Sequence, residues 1–245
     1  MARTNSSFPP LYVQIAESIA KRIQSGELSA GDRLPSERKL SEELAVSRMT
    51  VRHALLTLRD QGLIECQIGK GAFVSGPKIE QPVDILISFT ENIARKGMKP
   101  GARLLALEYR LADRPTAEAL RIGLGEPVYF VHRLRLADET PMALEYSFFP
   151  AHCCPHLERH DLETRSIYTI LAEEYGIRLQ RACQSLEPTV ARRHEAELLD
   201  IPVGTPLMLI RRTSYDDQQR IIEYAKDLYR GDCFRFISHS RPPDW

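Results

Sequence analysis

A short segment of this chain occurs twice, and the repetition constrains the fold of most of the sequence. Residues 117–128 read AEALRIGLGEPV, and residues 196–207 read AELLDIPVGTPL. In both copies a short helical pattern leads to a Gly-x-Pro turn and then to two strand patterns joined by a polar turn. The alignment continues, after one deletion, to Glu145 and Glu223. Two such units predict a mixed α/β (α+β) domain, a mostly antiparallel sheet of pseudo-twofold character with helices packed on it.

The stretch Leu34–Leu55 has a different pattern, with two short helical segments around the connection Ala45-Val46-Ser47. A helix turns about 100° per residue, so the second segment carries a buried apolar stripe formed by Val51, Ala54, Leu55 and Leu58. Arg52 then points away from the stripe, and Arg48 lies at its border, near the N-terminus that Ser47 caps. Arginine guanidinium groups on the first turns of a helix that is packed on a core are well placed to donate hydrogen bonds to base edges in the major groove. The alternative is an ordinary helical hairpin with a solvated basic face.

The flanking segments favour the DNA-reading interpretation. Upstream, a helical pattern ends at Ser25-Gly26, and one face of this helix carries Tyr12, Ile15, Ile19 and Ile23. Downstream, the β-type runs 63–66 and 72–74 surround the glycine-containing turn 67–71. Three helices followed by a basic hairpin predict a winged helix-turn-helix, and the wing would set backbone amides and Lys70 against DNA phosphates or into the minor groove.

The order of these segments and the residues in them resemble the GntR family of bacterial transcription regulators. The matching segments are the early Tyr12-x-x-Ile15, GDRLPSER at 31–38, SRMTVRHAL at 47–55, and the wing pattern Gly69-x-Gly71-x-Phe73-Val74. The resemblance implies that Arg38, Arg48 and Arg52 read or clamp DNA, helped by Thr50 and the wing glycine. Many members carry a smaller or polar residue where this chain has Met49. The predicted DNA-binding residues are Arg38, Ser47, Arg48, Met49, Thr50, Arg52, Gly69 and Lys70.

Length and charge favour two domains. At 245 residues the chain is long for one domain. Residues 1–78 hold 11 Lys and Arg against 8 Asp and Glu, while the remainder holds 22 against 25, signs that suit a DNA-binding end on a body that does not bind DNA. We predict a DNA-binding domain at 1–76, a punctuated linker at 77–84 and an effector-binding domain at 85–245.

The second domain resembles the UTRA effector-binding domain of the HutC subfamily of GntR regulators, a fold similar to that of chorismate lyase. The matching stretches include Gly125-x-Pro127, Arg133-x-Arg135, Glu145-Tyr146, Arg165-Ser166-Ile167-Tyr168 and Tyr229-Arg230-Gly231-Asp232. The resemblance implies a regulator controlled by a small molecule. A chorismate lyase-like enzyme and an architectural DNA-binding protein without a ligand are the alternatives.

Two arginines and a helix start predict an anion site in this domain. Arg133 and Arg135 are two residues apart on a strand pattern, so they project from the same face. Ser166 precedes an apolar helical stripe, and its hydroxyl, the free amides of the first turn and the Tyr168 phenol would form an anion cradle. Arginine forks with a helix N-terminus favour phosphate over a bare carboxylate. The alternative is a solvated sheet face on which carboxylates pair with the arginines.

A further resemblance concerns the ligand. Amino-sugar regulators within this family have a similar sequence motif to one in this chain, Ser88-Phe89-Thr90-Glu91 followed by Gly97-Met98-Lys99-Pro100-Gly101. It implies a phosphorylated amino sugar, glucosamine 6-phosphate or its N-acetyl form, whose sugar contacts Glu145, Glu223 and Tyr229. Urocanate and trehalose 6-phosphate are the alternative effectors, and each glutamate could instead form a cross-strand ion pair. The predicted effector-binding residues are Ser88, Phe89, Thr90, Arg133, Arg135, Glu145, Ser166, Tyr168, Glu223 and Tyr229.

The remaining expectations concern chemistry and location. Five cysteines without regular spacing suggest free thiols, and adjacent cysteines in His152-Cys153-Cys154-x-His156 chelate one zinc ion poorly, so we favour a plain loop there and predict no metal or cofactor. No apolar run approaches the roughly 20 residues that span a bilayer, which favours a cytoplasmic protein without a membrane partner. The resemblance also implies a repressor, without enzyme activity, that binds double-stranded operator DNA as a homodimer.

Overall fold

A computed structural model describes residues 9–67, 71–76 and 78–240. The chain divides after residue 77 into two compact units. The first unit contains three helices and a hairpin: α1 Leu11–Gln24, α2 Glu37–Glu43, α3 Arg48–Asp60, β1 Ile64–Gln67 and β2 Gly71–Val74. In the second unit the elements are β3 Ile79–Pro82, α4 Phe89–Arg95, β4 Pro100–Leu111, α5 Arg114–Leu120, β5 Pro127–Ala137, β6 Thr140–Pro150, a 3-10 turn Leu157–Arg159, α6 Ile167–Glu174, β7 Leu179–Val190, α7 Arg193–Leu199, β8 Pro206–Asp216, β9 Ile221–Arg230 and β10 Phe234–Ile237.

Serine caps set the starts of the two short helices in the first unit. The Ser36 hydroxyl accepts a hydrogen bond from Lys39 N at 3.2 Å, and the Ser47 hydroxyl accepts one from Thr50 N at 3.1 Å. The α3 stripe that the periodicity predicted is buried against residues of α1 and α2, and this core contains Val51, Ala54, Leu55, Leu58, Ile15, Ile19 and Leu40. The strands β1 and β2 pair antiparallel with Ile64 opposite Val74. The predicted winged helix-turn-helix is confirmed.

The second unit is built from two copies of one larger unit. Within the described residues, six strands form an antiparallel sheet in the order β4-β5-β6-β9-β8-β7. The first copy is α4-β4-α5-β5-β6, the second is α6-β7-α7-β8-β9, and they meet where β6 pairs with β9. The mostly antiparallel α+β domain is therefore confirmed, and each copy is longer than the repeat visible in the sequence.

The Gly-x-Pro turns have the same backbone conformation in both copies. Gly125 has φ 79° and Gly204 has φ 86°, values in the left-handed region where a Cβ is disfavoured. Each glycine amide donates a hydrogen bond to the residue just after the strand that precedes its helix, Gly125 N to Ala112 O at 3.0 Å and Gly204 N to Ala191 O at 2.8 Å. The turn thus returns the chain from each helix to the sheet in the register that starts β5 and β8.

Helices cover both faces of the sheet. On one face, α4 and α6 pack over apolar residues such as Tyr229 and Phe149. On the other, α5 and α7 pack over residues that include Phe148 and Leu144. Because side chains alternate along a strand, neighbouring positions of β6 serve opposite cores. No helix in the described ranges is long and apolar enough to cross a membrane.

One strand lies inside the segment predicted as a linker. The strand β3 pairs parallel with β10, with Ile79 opposite Phe234, and so it belongs to the second unit. Asn92 of α4 holds it, because Asn92 Nδ2 donates to Glu80 O at 3.2 Å and to Gln81 Oε1 at 2.8 Å. The predicted boundaries at residues 76 and 84 stay predictions, and this strand was not indicated by the sequence.

Candidate functional site

A cavity opens on the sheet face that α4 and α6 cover, beside the N-termini of both helices. Of the ten predicted effector-binding residues, nine line it, and the tenth, Thr90, contacts Arg135 from beside it. The lining residues are Ile87, Ser88, Phe89, Arg133, Arg135, Glu145, Ser147, Ser166, Ile167, Tyr168, Arg212, Glu223 and Tyr229. The fold therefore brings the predicted residues together, while their roles in binding stay predictions.

The two helix starts at the cavity use their serines differently. The Ser88 hydroxyl caps α4 by accepting a hydrogen bond from Glu91 N at 3.1 Å. The Ser166 hydroxyl makes no capping bond to α6, although the residue is buried. The first amides of α6 have no acceptor within the helix, as at any helix N-terminus. Ser166 and these amides thus present donors to the cavity, as the anion-cradle interpretation requires.

Glu145 binds both predicted arginines. Its Oε2 accepts hydrogen bonds from Arg133 Nη2 at 2.7 Å and from Arg135 Nη1 at 3.0 Å, and all three side chains are buried. Burial alone would raise the pKa of Glu145, but Arg135 and Arg133 outweigh it and hold this pKa at about 2. The carboxylate partner considered as an alternative is present, and here Glu145 is a counter-ion of the arginines.

Arg135 keeps unused bonding capacity. Its Nη2 donates to Thr90 Oγ1 at 2.8 Å, and its guanidinium lies 4.5 Å from the centre of the Phe89 ring. Its Nε is buried, and the described part of the chain offers it no acceptor. A buried donor without an acceptor costs free energy, on the order of 1–3 kcal/mol. An anionic oxygen placed beside Nε would remove this cost.

A second charged group lies in the other copy of the repeat. Arg212 Nε lies 3.4 Å from Glu223 Oε2, and the same oxygen accepts hydrogen bonds from Ser214 Oγ at 2.8 Å and Tyr168 OH at 3.0 Å. Arg212 was not among the predicted site residues, although the repeat aligns it with Arg133. The alignment was the signal that could have identified it.

Asp227 is a third carboxylate, which sequence reasoning missed. It is fully buried and lies opposite Glu145 across the β6–β9 pairing. Arg212 Nη2 is 3.1 Å from Asp227 Oδ2, but the angles do not make a hydrogen bond, and both Asp227 oxygens lack a hydrogen-bond partner within the described residues. Burial raises the pKa of Asp227 to about 7, with Arg212 opposing the rise and Glu145 and Glu223 adding to it. This carboxyl therefore keeps its proton to a higher pH than an ordinary Asp.

The charges of this group are equal in number. In the described structure three arginines face three carboxylates, so an anionic ligand finds its arginines already paired. A proton held by Asp227 would remove one of the negative charges. A ligand oxygen would also need a donor that no carboxylate occupies, because buried ions require partners.

The predicted DNA-binding residues lie at the surface of the first unit. Arg48, Met49 and Arg52 are exposed on α3, and the Thr50 hydroxyl contacts the Ser47 hydroxyl at 2.8 Å. Arg52 is bound at two atoms by Glu37 of α2, and Arg38 forms an ion pair with Glu42 at 3.2 Å. Gly69 and Lys70 lie outside the described residues.

The cysteine- and histidine-containing loop packs as an ordinary loop. Cys154 is buried, its Sγ donates to Pro150 O at 3.7 Å, and burial raises its pKa to about 12. His160 Nε2 lies 2.9 Å from Tyr175 OH. Across the described ranges, no group of three His, Cys, Asp or Glu side chains is placed to hold a metal ion.

Comparisons with known proteins cover almost the whole chain. Residues 11–74 match the family described as bacterial regulatory proteins, gntR family, and residues 95–235 match the UTRA domain. The HTH-type transcriptional repressor NagR of Bacillus subtilis is 40% identical over 94% of both chains. The mannosyl-D-glycerate transport/metabolism system repressor MngR of Escherichia coli is 31% identical over 93% of this chain and 94% of that protein. The crystal structure of PhnF from Mycobacterium smegmatis, 30% identical, covers 95% of this chain and 100% of that one, with a TM-score of 0.66.

Asp227 should make stability depend on pH. Its pKa is about 7 in the folded protein against 3.8 for an ordinary Asp, so between these values the folded state holds a proton that the unfolded chain releases. Stability therefore falls as pH rises through this window. The variant Asp227→Asn imitates the protonated carboxyl. We expect the difference in its free energy of unfolding from that of the wild type to increase in favour of the variant as pH rises to about 7, and to stay constant above that pH.

Urea unfolding at a series of pH values measures this gain. Asp217→Asn is the matched control, because Asp217 is exposed in the turn between β8 and β9, and its difference from the wild type should stay flat. An Asp227→Asn difference that does not change with pH would contradict the assignment of a raised pKa.

Proposed function

The chain belongs to the GntR family of bacterial regulatory proteins and carries a UTRA domain, and from this premise we propose that a phosphorylated amino sugar binds in the cavity of the second unit and controls the affinity of the protein for DNA. As a member of this family it is a DNA-binding transcriptional repressor of the HutC type. Glucosamine 6-phosphate and N-acetylglucosamine 6-phosphate are the proposed effectors. The observation that carries the proposal is the buried Arg135 Nε without an acceptor, among arginines that converge beside a helix N-terminus.

The phosphate would bind Arg135 at its Nε, the donor that Glu145 leaves free, while Glu145 stays on Nη1. A phosphate monoester offers three terminal oxygens, enough to bind Arg135 Nε, the Ser166 hydroxyl and an amide of α6 together. Glu145 would keep its bonds to Arg133, so neither buried ion would be left alone. The phosphate would thus join the cluster without displacing Glu145, and a proton held by Asp227 would offset part of the negative charge that the ligand brings.

The sugar ring would lie between the two copies of the repeat. Glu145 and Glu223 are acceptors for hydroxyl or ammonium groups, and Tyr229 lines the same cavity. A relative named for the mannosyl-D-glycerate system supports a carbohydrate ligand. Urocanate is a weaker candidate, because its single planar carboxylate would leave donors of the arginine cluster unmatched. We propose no enzymatic reaction, since the relatives named above are transcriptional repressors.

Control of DNA binding would follow from a population shift. A ligand changes an equilibrium only when it binds one conformation of the protein more tightly than another. We propose that the sugar phosphate favours one relative placement of two DNA-binding domains in a homodimer. The DNA-binding residues would be those predicted on α2, α3 and the wing.

Arg135→Ala should weaken effector binding at least about tenfold, because a charge-assisted hydrogen bond to phosphate contributes roughly 1.5–3 kcal/mol. Titration calorimetry with glucosamine 6-phosphate and with glucosamine measures the loss and its dependence on the phosphate. Arg103→Ala, at an exposed arginine of β4, is the control and should bind like the wild type. Arg135→Ala should still bind operator DNA, but this binding should no longer respond to the sugar phosphate. Equal affinity for the two sugars would overturn the phosphate assignment.

Arg52→Ala should weaken binding to operator DNA and reduce base preference, by about 1–3 kcal/mol for a bidentate base contact. The test uses a duplex that the wild-type protein selects from a randomised library, with binding measured by fluorescence anisotropy. Arg59→Ala, an exposed arginine at the end of the same helix, should change affinity little. Unchanged affinity in Arg52→Ala would remove α3 as the recognition helix.

A homodimer is expected at micromolar concentration, because one winged domain reads a half-site too short for useful discrimination. The edge strands β4 and β7 expose apolar side chains that suit an interface, with Leu111 at 68% and Val190 at 55% exposure. Analytical ultracentrifugation of the free protein and of its DNA complex measures the mass. A monomer in both samples would exclude the dimer.

A further inference from the structure

A carboxylate of α2 binds the predicted base-reading arginine of α3. Glu37 and Arg52 are 15 residues apart, and Arg52 Nε donates to Glu37 Oε1 at 3.1 Å while Arg52 Nη2 donates to Glu37 Oε2 at 2.9 Å. The pair lies at the surface, with side-chain exposures of 56% for Arg52 and 36% for Glu37. Two parallel hydrogen bonds hold the plane of the guanidinium in one orientation.

The atoms that Glu37 uses leave the other edge of the guanidinium open. A guanidinium has five N–H bonds, and Nε with one hydrogen of Nη2 forms one bidentate edge. Nη1 with the second hydrogen of Nη2 forms another edge, which Glu37 does not contact. A guanine in the major groove offers O6 and N7 to two such parallel donors. Arg52 can therefore bind Glu37 and a guanine at the same time.

Stability alone gives little reason for this pair. An exposed ion pair contributes only a small stabilisation, and salt screens it. A carboxylate close to DNA phosphates also opposes binding, since like charges repel. The neighbouring predicted contact, Arg48, has no ion pair within the described residues, so the carboxylate is directed at one arginine of the helix.

We propose that Glu37 is a positioning residue that holds Arg52 for base reading and so raises the discrimination between operator and other DNA. The inference rests on the proposed function, because it takes Arg52 as a base-reading residue. Without Glu37, the Arg52 side chain would sample other rotamers and could reach phosphates, contacts that carry no sequence information.

Glu37→Gln should therefore reduce specificity more than affinity. Ordering a flexible side chain on binding costs about 0.5–1.5 kcal/mol, which corresponds to a loss of about two- to tenfold in operator affinity. Removal of a negative charge should leave binding to unrelated DNA unchanged or stronger. The ratio of the two affinities should fall by about two- to tenfold or more, and the loss should concentrate at one base pair of the half-site.

The experiment compares full-length variants on the selected duplex, on duplexes with single base-pair changes and on an unrelated duplex. Glu43→Gln is the matched control, because it removes the same charge from the same helix and, among the described residues, breaks an ion pair with Lys39 alone. Glu37→Asp keeps the charge on a shorter arm and should recover part of the specificity. Thermal melting of each variant checks folding, and Glu37→Gln in an Arg52→Ala background should cause no further loss of specificity.

The outcomes separate this inference from the proposed function. A loss of specificity in Arg52→Ala, with none in Glu37→Gln, overturns the role of Glu37 and leaves Arg52 as the base-reading residue. An equal loss on all duplexes in Glu37→Gln indicates a structural role and also overturns the inference. Unchanged specificity in Arg52→Ala removes both the inference and the assignment of Arg52.

Discussion

The pairing of β6 with β9 determines the chemistry of the second unit. It joins the two copies of the repeat and sets Glu145 opposite Asp227 in the buried centre of the sheet. Two carboxylates in such a place require cations, and Arg133, Arg135 and Arg212 supply them from the flanking strands β5 and β8. The cluster exists because the sheet closes along this line, and the N-termini of α4 and α6 border it.

This arrangement explains how one fold can present a polar site without losing its core. The apolar packing lies beside the charged cluster, under α4 and α6 on the same face and under α5 and α7 on the opposite face. The arginines and carboxylates of the cluster pair with one another, which limits the cost of burying them. Within the described residues, Arg135 Nε and the Asp227 carboxyl lack hydrogen-bond partners, and these are the atoms at which the proposed ligand or a proton would act.

Much of the fold was accessible from sequence because local pattern and repetition agreed. The α3 periodicity predicted its buried stripe, and the Gly-x-Pro turns predicted α5 to β5 and α7 to β8. The strand β3 was not predictable, since its partner β10 is distant in sequence and pairing between them has no local signal. Residue spacing predicted that Arg133 and Arg135 share a face, but only the register of β6 with β9 identifies Asp227 as their neighbour. The Glu37–Arg52 pair likewise depends on how α2 crosses α3.

Binding of the effector phosphate at Arg135 Nε is the central claim, and a crystal structure of the protein with glucosamine 6-phosphate tests it most directly. We predict a phosphate oxygen within hydrogen-bonding distance of Arg135 Nε and of the Ser166 hydroxyl, with Glu145 still bound to Arg133. A phosphate bound outside the cavity, or an Arg135 Nε that stays without an acceptor in the complex, would contradict the claim.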